Sequence, residues 1–313
     1  MAGGVSSVPP PVGTGARTIA PAKLNATLLV GPVRPHDGRH DLTSVMQSLT
    51  LADDVALVPA PVGAPADDVD CPGVDGDNLA LRALRDFRAA TGWDAPPLTV
   101  RIVKRIPVAA GMAGGSTDAA AVLRLAAHLS GRGDAALLQE LAAGLGADVP
   151  HGLEPGLALA AGAGERLERF DGDLPGAVVV VPADVGLSTP SVFREADALR
   201  PPRTADDLEA WRVRVLDALR AVGAHGATYP AELAVNDLGA AAVSLAPVVG
   251  AHLEALRHAG AAPALVCGSG PTTVGWFPDA EAAEAAAARL AADGVDALVA
   301  LPTSGAPIEA VPA

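Results

Sequence analysis

The chain has 313 residues, half of them apolar but only 3% aromatic, and a formal net charge of −14. That length holds two modest domains or one large one, with a core packed from many Ala, Val and Leu side chains. The acidity excludes non-specific binding to nucleic acid or anionic lipid, so a phosphorylated ligand must meet local positive features.

Residues 1–15 are rich in Pro, Gly, Ser and Val, with neither a basic start nor an apolar block, and read as a disordered leader. Residues 17–20 and 26–30 read as short strands around Pro21-Ala22-Lys23-Leu24-Asn25, 32–41 as a turn-rich loop, and 45–58 as another pair of strands. A Pro/Gly/Asp-rich connection over 59–77 leads to a helix over 78–91, stopped by Gly92. A strand over 98–106 precedes Pro107-Val108-Ala109-Ala110-Gly111-Met112-Ala113-Gly114-Gly115-Ser116-Thr117-Asp118 and an Ala/Leu-rich helix over 119–129. A second helix over 134–145 ends at Gly146, and short strands follow at 157–161 and 166–170.

Four consecutive valines within 176–182 read as a buried strand. The spacing places a domain boundary near Leu174, giving a leader at 1–16, an N-terminal domain at 17–174 and a C-terminal domain at 175–313. In the second domain, 191–199, 205–222 and 246–260 are helical. Strands at 264–267 and 273–277 flank Gly268-Ser269-Gly270-Pro271, and a helix over 280–293 precedes a strand at 297–300. Strands and helices mixed without strict alternation predict an α+β fold.

No apolar run approaches the ~20 residues of a membrane-spanning helix. Cys71 and Cys267 stand apart in no metal-ligand spacing, which suits a reduced, cytoplasmic protein. Neither a nucleic-acid nor a membrane partner is expected, and the sequence fixes no oligomeric state.

The segment at 107–118 carries the most chemistry. Strand, small-residue loop and helix in that order make an anion site: glycines let backbone N–H groups approach a phosphate, and a helix start presents unpaired donors. Ser116 and Thr117 add hydroxyls. The alternative for the loop alone is a flexible turn. The chain has only two lysines, Lys23 and Lys104, so a site needing a compact ammonium has few candidates. Gly115 is followed by Ser116, so the loop is not a Gly-x-x-x-x-Gly-Lys phosphate motif. Gly162-Ala163-Gly164 lacks a third glycine and reads as a turn.

Read in order, Pro21-Ala-Lys-Leu-Asn25, Gly38-x-His40, Asp77-Asn78-Leu79, the loop at 107–118, Gly146-Ala-Asp148-Val-Pro150, Asn236-Asp237-Leu238 and Gly268-Ser-Gly-Pro271 resemble the GHMP small-molecule kinases. Within them the match favours the branch that phosphorylates a cytidine-diphosphate-linked alcohol in non-mevalonate isoprenoid synthesis. The resemblance implies a two-domain GHMP kinase fold with the active site in the cleft between domains, and ATP with Mg²⁺ as cofactors. It makes Asp148 the general base, Lys23 its electrostatic partner, and Pro107 to Thr117 the ATP-phosphate loop, with Asn78 and Leu79 at the adenine. Asn25, Arg39, His40, Thr189, Phe193, Gly268, Ser269 and Gly270 fall on the acceptor side. Phosphoryl transfer to an alcohol does need a carboxylate within reach of the hydroxyl and a cation beside it.

Local readings remain open: Asp148 as a turn or cap residue, Asn78 as an ordinary helix cap, Gly268 to Pro271 as a hairpin turn, His40 as a solvated loop residue. Ser116, Thr117 and Asp148 are unranked as contacts to Mg²⁺. The chain departs from the family at Arg39, where an aromatic is usual, and at Ala26 and Met46, which replace bulkier aromatics. Those changes suit a diverged kinase for a different alcohol, or drift within one enzyme; a separate alternative, against which intact Lys23, Asp148, Ser116 and Thr117 argue, is a non-catalytic sensor on the same fold.

Overall fold

A computed structural model describes residues 15–74, 76–225 and 227–311. Two long antiparallel strands, β1 (Gly15–Val33) and β2 (His40–Pro59), form its spine. β2 pairs along its second half with β4 (Leu98–Val103) and along its first half with β5 (Leu157–Gly162), which pairs with β6 (Arg166–Phe170). The short β3 (Asp68–Asp70) adds in parallel beside β4, and β11 (Glu309–Val311) closes the other edge on β1. A second, four-stranded antiparallel sheet runs β10 (Leu298–Ala300), β7 (Ala177–Val181), β9 (Thr273–Phe277), β8 (Ala264–Val266).

Period-two alternation explains how the layers stack. In β7, Val178 and Val180 pack against Leu24, Val45, Leu157 and Leu159 of the first sheet. Ala177, Val179 and Val181 face the opposite way, onto α8 (Pro247–His258) and α9 (Ala280–Ala292). An all-apolar strand is the sequence signature of that double burial. The first sheet's other face carries α1 (Leu79–Thr91) and α2 (Gly114–Ser130), whose Phe87, Leu84, Leu123 and Leu125 meet Val55, Leu57, Val100 and Ile102. Among the described residues, no helix is long and apolar enough to cross a membrane.

β1 changes faces midway, which matters for the site. Ala16 and Ala20 lie in the core under α1 and α2, whereas Ala22, Leu24 and Ala26 lie in the core between the sheets. The pairing register shifts between Pro21 and Lys23 and again between Asn25 and Thr27. Across Pro21 to Lys23, β1 advances two residues while β2 advances four, from Ala52 to Ser48, so the ladder is interrupted beside Pro21, which has no N–H to pair, and the faces exchange there.

Several expectations are corrected. The segments expected as two short strands within 17–30 are one strand, and the pair expected over 45–58 is also one. Polar residues between them looked like loop because they face a buried cleft rather than an apolar neighbour. Gly15 and Ala16, assigned to the leader, begin β1, while residues 1–14 lie outside the described residues. α2 starts at Gly114, inside the glycine-rich segment. Leu174, the expected domain boundary, lies in the connection between β6 and β7, and its N–H donates to Gln47 Oε1 at 2.9 Å. β11 nevertheless returns the chain's end to the first sheet. α4 (Val149–Leu153) and α7 (Gly239–Leu245), too short for a clear period, were not expected.

Candidate active site

The bulged stretch of β1 presents Lys23 and Asn25 to a cleft of about 940 Å³ between the two sheets. Lys23 is 4% exposed, and its Nζ donates to Asn25 Oδ1 at 2.8 Å. Asn25 Nδ2 donates to Ser44 Oγ at 2.7 Å, and Ser44 donates onward to the Thr27 carbonyl at 2.8 Å. This chain of bonds fixes the amide so that its oxygen faces the ammonium. Lys23 Nζ also lies 3.6 Å from Asp148 Oδ2.

Asp148 occupies the N-cap position of α4 yet makes no capping hydrogen bond with its side chain. Its carboxylate, a third exposed, is turned into the cleft instead. The cap reading therefore fails for Asp148 and holds for Asn78, whose side chain accepts from the Ala80 N–H at 2.9 Å while also lining the cleft.

The loop before α2 is strained and locked. Ala109, Gly111 and Ala113 all have left-handed backbones, with φ of 57°, 73° and 61°. For alanine that conformation costs about 1–3 kcal/mol, so the surroundings must enforce it. The Lys23 N–H donates to the Met112 carbonyl at 3.1 Å, tying loop to strand. A Cβ on Gly111 would sit 2.5 Å from the Cys267 carbonyl oxygen and 2.8 Å from that of Gly270. Ala113, the N-cap of α2, has no polar side chain, so no side-chain bond caps the helix. The Ser116 and Thr117 N–H groups donate to the Ala113 carbonyl, each at 2.9 Å, and the Gly114 and Gly115 N–H groups are left for an anion. A Cβ on Gly115 would meet nothing within 4 Å: the space beside this helix start is open.

From the second sheet, the turn Gly268 to Pro271 joins β8 to β9, as the hairpin reading expects, and its Gly268, Ser269 and Gly270 border the cleft. Asn236 Nδ2 donates to the carbonyls of Val266 and Gly268, each at 2.7 Å, and holds the turn. A Cβ on Gly268 would lie 3.5 Å from Lys23 Nζ and 2.9 Å from the Gly111 carbonyl oxygen.

The far end is built from side chains. His40 is 8% exposed; its Nδ1 donates to the Gly31 carbonyl at 2.8 Å, and its Nε2 lies 3.2 Å from Asp197 Oδ2 on α5 (Thr189–Leu199). It is therefore no solvated loop residue. Phe193 stacks on it, with centroids 5.4 Å apart and planes at 21°. Arg39 Nε pairs with Asp37 Oδ2 at 3.1 Å. Asp37 is held in turn by Arg34, whose guanidinium keeps that carboxyl well below the usual range, and Arg34 Nη1 reaches Glu165 at 2.8 Å. Thr189 Oγ1 and Ser269 Oγ, 3.0 Å apart, close the far wall.

Most residues expected at the site border this one cleft. Met112 and Thr117 do not: both are buried, and Thr117 Oγ1 donates to the Gly114 carbonyl at 3.0 Å. Ala26 is corrected likewise, since it packs in the core between the sheets, while Met46 does line the cleft. Gly162 to Gly164 form a turn, with the Gly164 N–H donating to the Ala161 carbonyl at 3.2 Å.

Lys104 was missed. It borders the cleft under α2, held between Asp53 and Asp118, the latter at 2.8 Å. Burial and the neighbouring Asp53 push the Asp118 carboxyl up to about 7 against the pull of Lys104, and its Oδ1 has no partner. The signal was available, because the chain's two lysines both lie in this cleft. Among the described residues, no group of three or more His, Cys, Asp or Glu could hold a metal ion.

An open helix N-terminus, a lysine–carboxylate pair and a cleft between two sheets define a small-molecule phosphotransferase. The chain belongs to the GHMP kinases: the family's N-terminal domain matches residues 78–161 and its C-terminal domain residues 218–296. It is 43% identical over 295 residues to the 4-diphosphocytidyl-2-C-methyl-D-erythritol kinase of Anaeromyxobacter dehalogenans, covering 90% of this chain and 89% of that one. It is also 43% identical to the kinase of the same name from Streptomyces coelicolor, covering 88% and 91%. The crystal structure of a 4-(cytidine 5'-diphospho)-2C-methyl-D-erythritol kinase superposes with a TM-score of 0.72 at 32% identity, covering 92% of this chain and 99% of that one. A homoserine kinase from Cytophaga hutchinsonii shares the fold, with a TM-score of 0.71 at 14% identity, covering 96% and 99%. This chain is an ATP-dependent kinase of that family.

Proposed function

We propose that this kinase transfers the γ-phosphoryl group of ATP to the 2-hydroxyl of 4-diphosphocytidyl-2-C-methyl-D-erythritol. The observation that carries the reading is the Lys23–Asp148 pair, 3.6 Å apart and sharing one cleft with the uncapped start of α2. Asp148 accepts the hydroxyl proton as the oxygen bonds to the γ-phosphorus and the bond to the β-bridging oxygen breaks, releasing ADP. Lys23 holds Asp148 ionised and offsets charge on the moving phosphoryl group. Loop 107–117 receives the phosphates through backbone N–H groups, and Asn78 and Leu79 border the adenine. Asn25, Arg39, His40, Thr189, Phe193, Gly268, Ser269 and Gly270 face the acceptor.

The donors available fit Mg²⁺: the Ser116 hydroxyl and the Asp148 carboxylate are hard oxygens on the cleft wall, and a kinase Mg²⁺ needs only one or two protein ligands beside phosphate. When bound, the ion would neutralise phosphate charge. The two units, 17–174 and 175–313 with β11 returned to the first, would close on the acceptor as domains, in a cytoplasmic protein whose cysteines are both free.

A second reading, a kinase for another alcohol, is favoured by Arg39 and Met46 on the acceptor side. Complementation in cells lacking the isoprenoid kinase separates the two. Rescue by this protein, lost in Asp148→Asn, supports the first; failure despite soluble expression supports the second.

A further inference from the structure

We propose that Arg169 is the positioning residue for the phosphotransfer base; this rests on the reading of Asp148 as that base. Asp148 has no capping bond, so its place is set by the helix it begins. That helix, α4, has five residues, too few to be stable alone, and its last carbonyls have no partner within it.

Arg169, on β6, supplies those partners. Its Nη2 donates to the Pro150 carbonyl at 3.0 Å and the His151 carbonyl at 3.3 Å; its Nη1 donates to the His151 carbonyl at 3.3 Å and to that of Glu154. One planar fork thus ties down two carbonyls of a five-residue helix and that of its C-cap residue. A lysine, with a single nitrogen, cannot copy that pattern. Among the described residues, the one carboxylate paired with the guanidinium is Glu154, whose Oε2 is 3.8 Å from Nε and whose side chain is 77% exposed. Arg169 is therefore a backbone clamp rather than a surface ion pair.

The other flanks of α4 are fixed too. A Cβ on Gly152 would meet Ala120 Cβ at 2.7 Å and Thr117 Cα at 3.3 Å, so the helix lies directly on α2, which the phosphates face. His151 Nε2 donates to the Gly156 carbonyl at 3.1 Å and fixes the exit of the chain. Gly152 and His151 hold α4 at its side and rear, and Arg169 stops it from unwinding at its C-terminus. Unwinding would move Asp148 away from Lys23 while leaving the ATP loop and the acceptor wall in place.

The test compares Arg169→Met, Arg169→Gln and Arg169→Lys in steady-state kinetics well below their melting temperatures, and repeats each in an Asp148→Asn background. We expect kcat to fall about 10- to 100-fold in Arg169→Met, the size of effect that an ångström-scale misplacement produces. KM for ATP and for the diphosphocytidyl acceptor should stay within about two-fold, and Arg169→Lys should recover only part of kcat. In Asp148→Asn the same substitution should cost nothing further, because its effect passes through the base. Arg169→Gln keeps the test open if Arg169→Met fails to fold. An unchanged kcat, a parallel rise in KM for ATP, or an equal loss in the Asp148→Asn background overturns the proposal. Full turnover by Asp148→Asn alone overturns instead the reading on which it rests.

Discussion

Around Gly111 the cleft is made of backbone, whereas around His40 it is made of side chains. At the first end, glycines and left-handed alanines bring peptide groups within van der Waals range of one another, and an added methyl would strike the Cys267 carbonyl. At the second, Arg39 and His40, where β2 begins, meet Thr189 and Phe193 of α5, and the four are held by Asp37, Asp197, each other and Ser269. Backbone geometry allows few substitutions, because it depends on φ and on the absence of Cβ. A wall of long side chains can exchange one residue for another without disturbing the fold. On the proposed reading the first end takes the donor, common to the family, and the second takes the acceptor, where this chain has room to differ.

The sharpest way to break that contrast is at its centre. Asp148→Asn should lower kcat about 10³-fold, within the range for loss of a general base, with affinity for ATP unchanged in a binding titration without Mg²⁺. If ATP affinity fell with it, Asp148 would belong to the donor end rather than between the two.

A second prediction concerns pH and the pedestal under both ends. Burial, with help from Arg169, lowers the pKa of His151 to about 4 from 6.5. The folded protein thus resists a proton that the unfolded chain accepts. The stability this represents is present in full above pH 6.5 and is lost as pH falls toward 4, up to about 3 kcal/mol. Asp118 has the opposite sign: its carboxyl, pushed up to about 7, favours the folded state at low pH and loses that contribution as pH rises from 3.8 to 7. Urea unfolding of Asp118→Asn across pH 4 to 7 should therefore show a steeper rise in stability with pH than the parent protein. An identical slope would remove Asp118 from the ledger.

Paired glycine substitutions come next. Gly111→Ala should lose about 1–3 kcal/mol of stability from backbone strain alone, read as a lowered melting temperature. Gly115→Ala, whose methyl would meet nothing within 4 Å, should melt like the parent but raise KM for ATP about ten-fold if phosphate fills that space. The smallest effect belongs to the acceptor wall: Arg39→Ala should raise the acceptor KM about five-fold and leave KM for ATP alone. A change in both constants would erase the distinction between the ends.

How much of this was legible in the sequence follows the same division. The glycine-rich loop, the caps at Asn78 and Asp134, and the all-valine β7 each have a local cause written in adjacent residues. Lys23 and Asp148 were placed by motif, and the fold brings them to 3.6 Å. Less legible were features whose cause lies elsewhere in the chain. The continuity of β1 through Pro21 to Asn25 depends on pairing with β2, and the exchange of its faces falls where that pairing is interrupted, between Pro21 and Lys23. Thr117 looked like a phosphate ligand by spacing, but helical phase turns its hydroxyl to the Gly114 carbonyl. Ala26, set on the substrate side by the family resemblance alone, instead fills the core between the sheets. Arg169, 21 residues beyond Asp148 and on another element, has no local signature for what it holds.

The central claim is that this cleft moves the γ-phosphoryl group of ATP onto one hydroxyl of a cytidine-diphosphate-linked alcohol. Phosphorus NMR of the purified protein with ATP, Mg²⁺ and 4-diphosphocytidyl-2-C-methyl-D-erythritol tests it directly. We expect one new phosphomonoester resonance growing in step with ADP, with the acceptor's diphosphate signals retained. Free phosphate in place of that resonance, or no change in ATP while another small alcohol is phosphorylated, would contradict it.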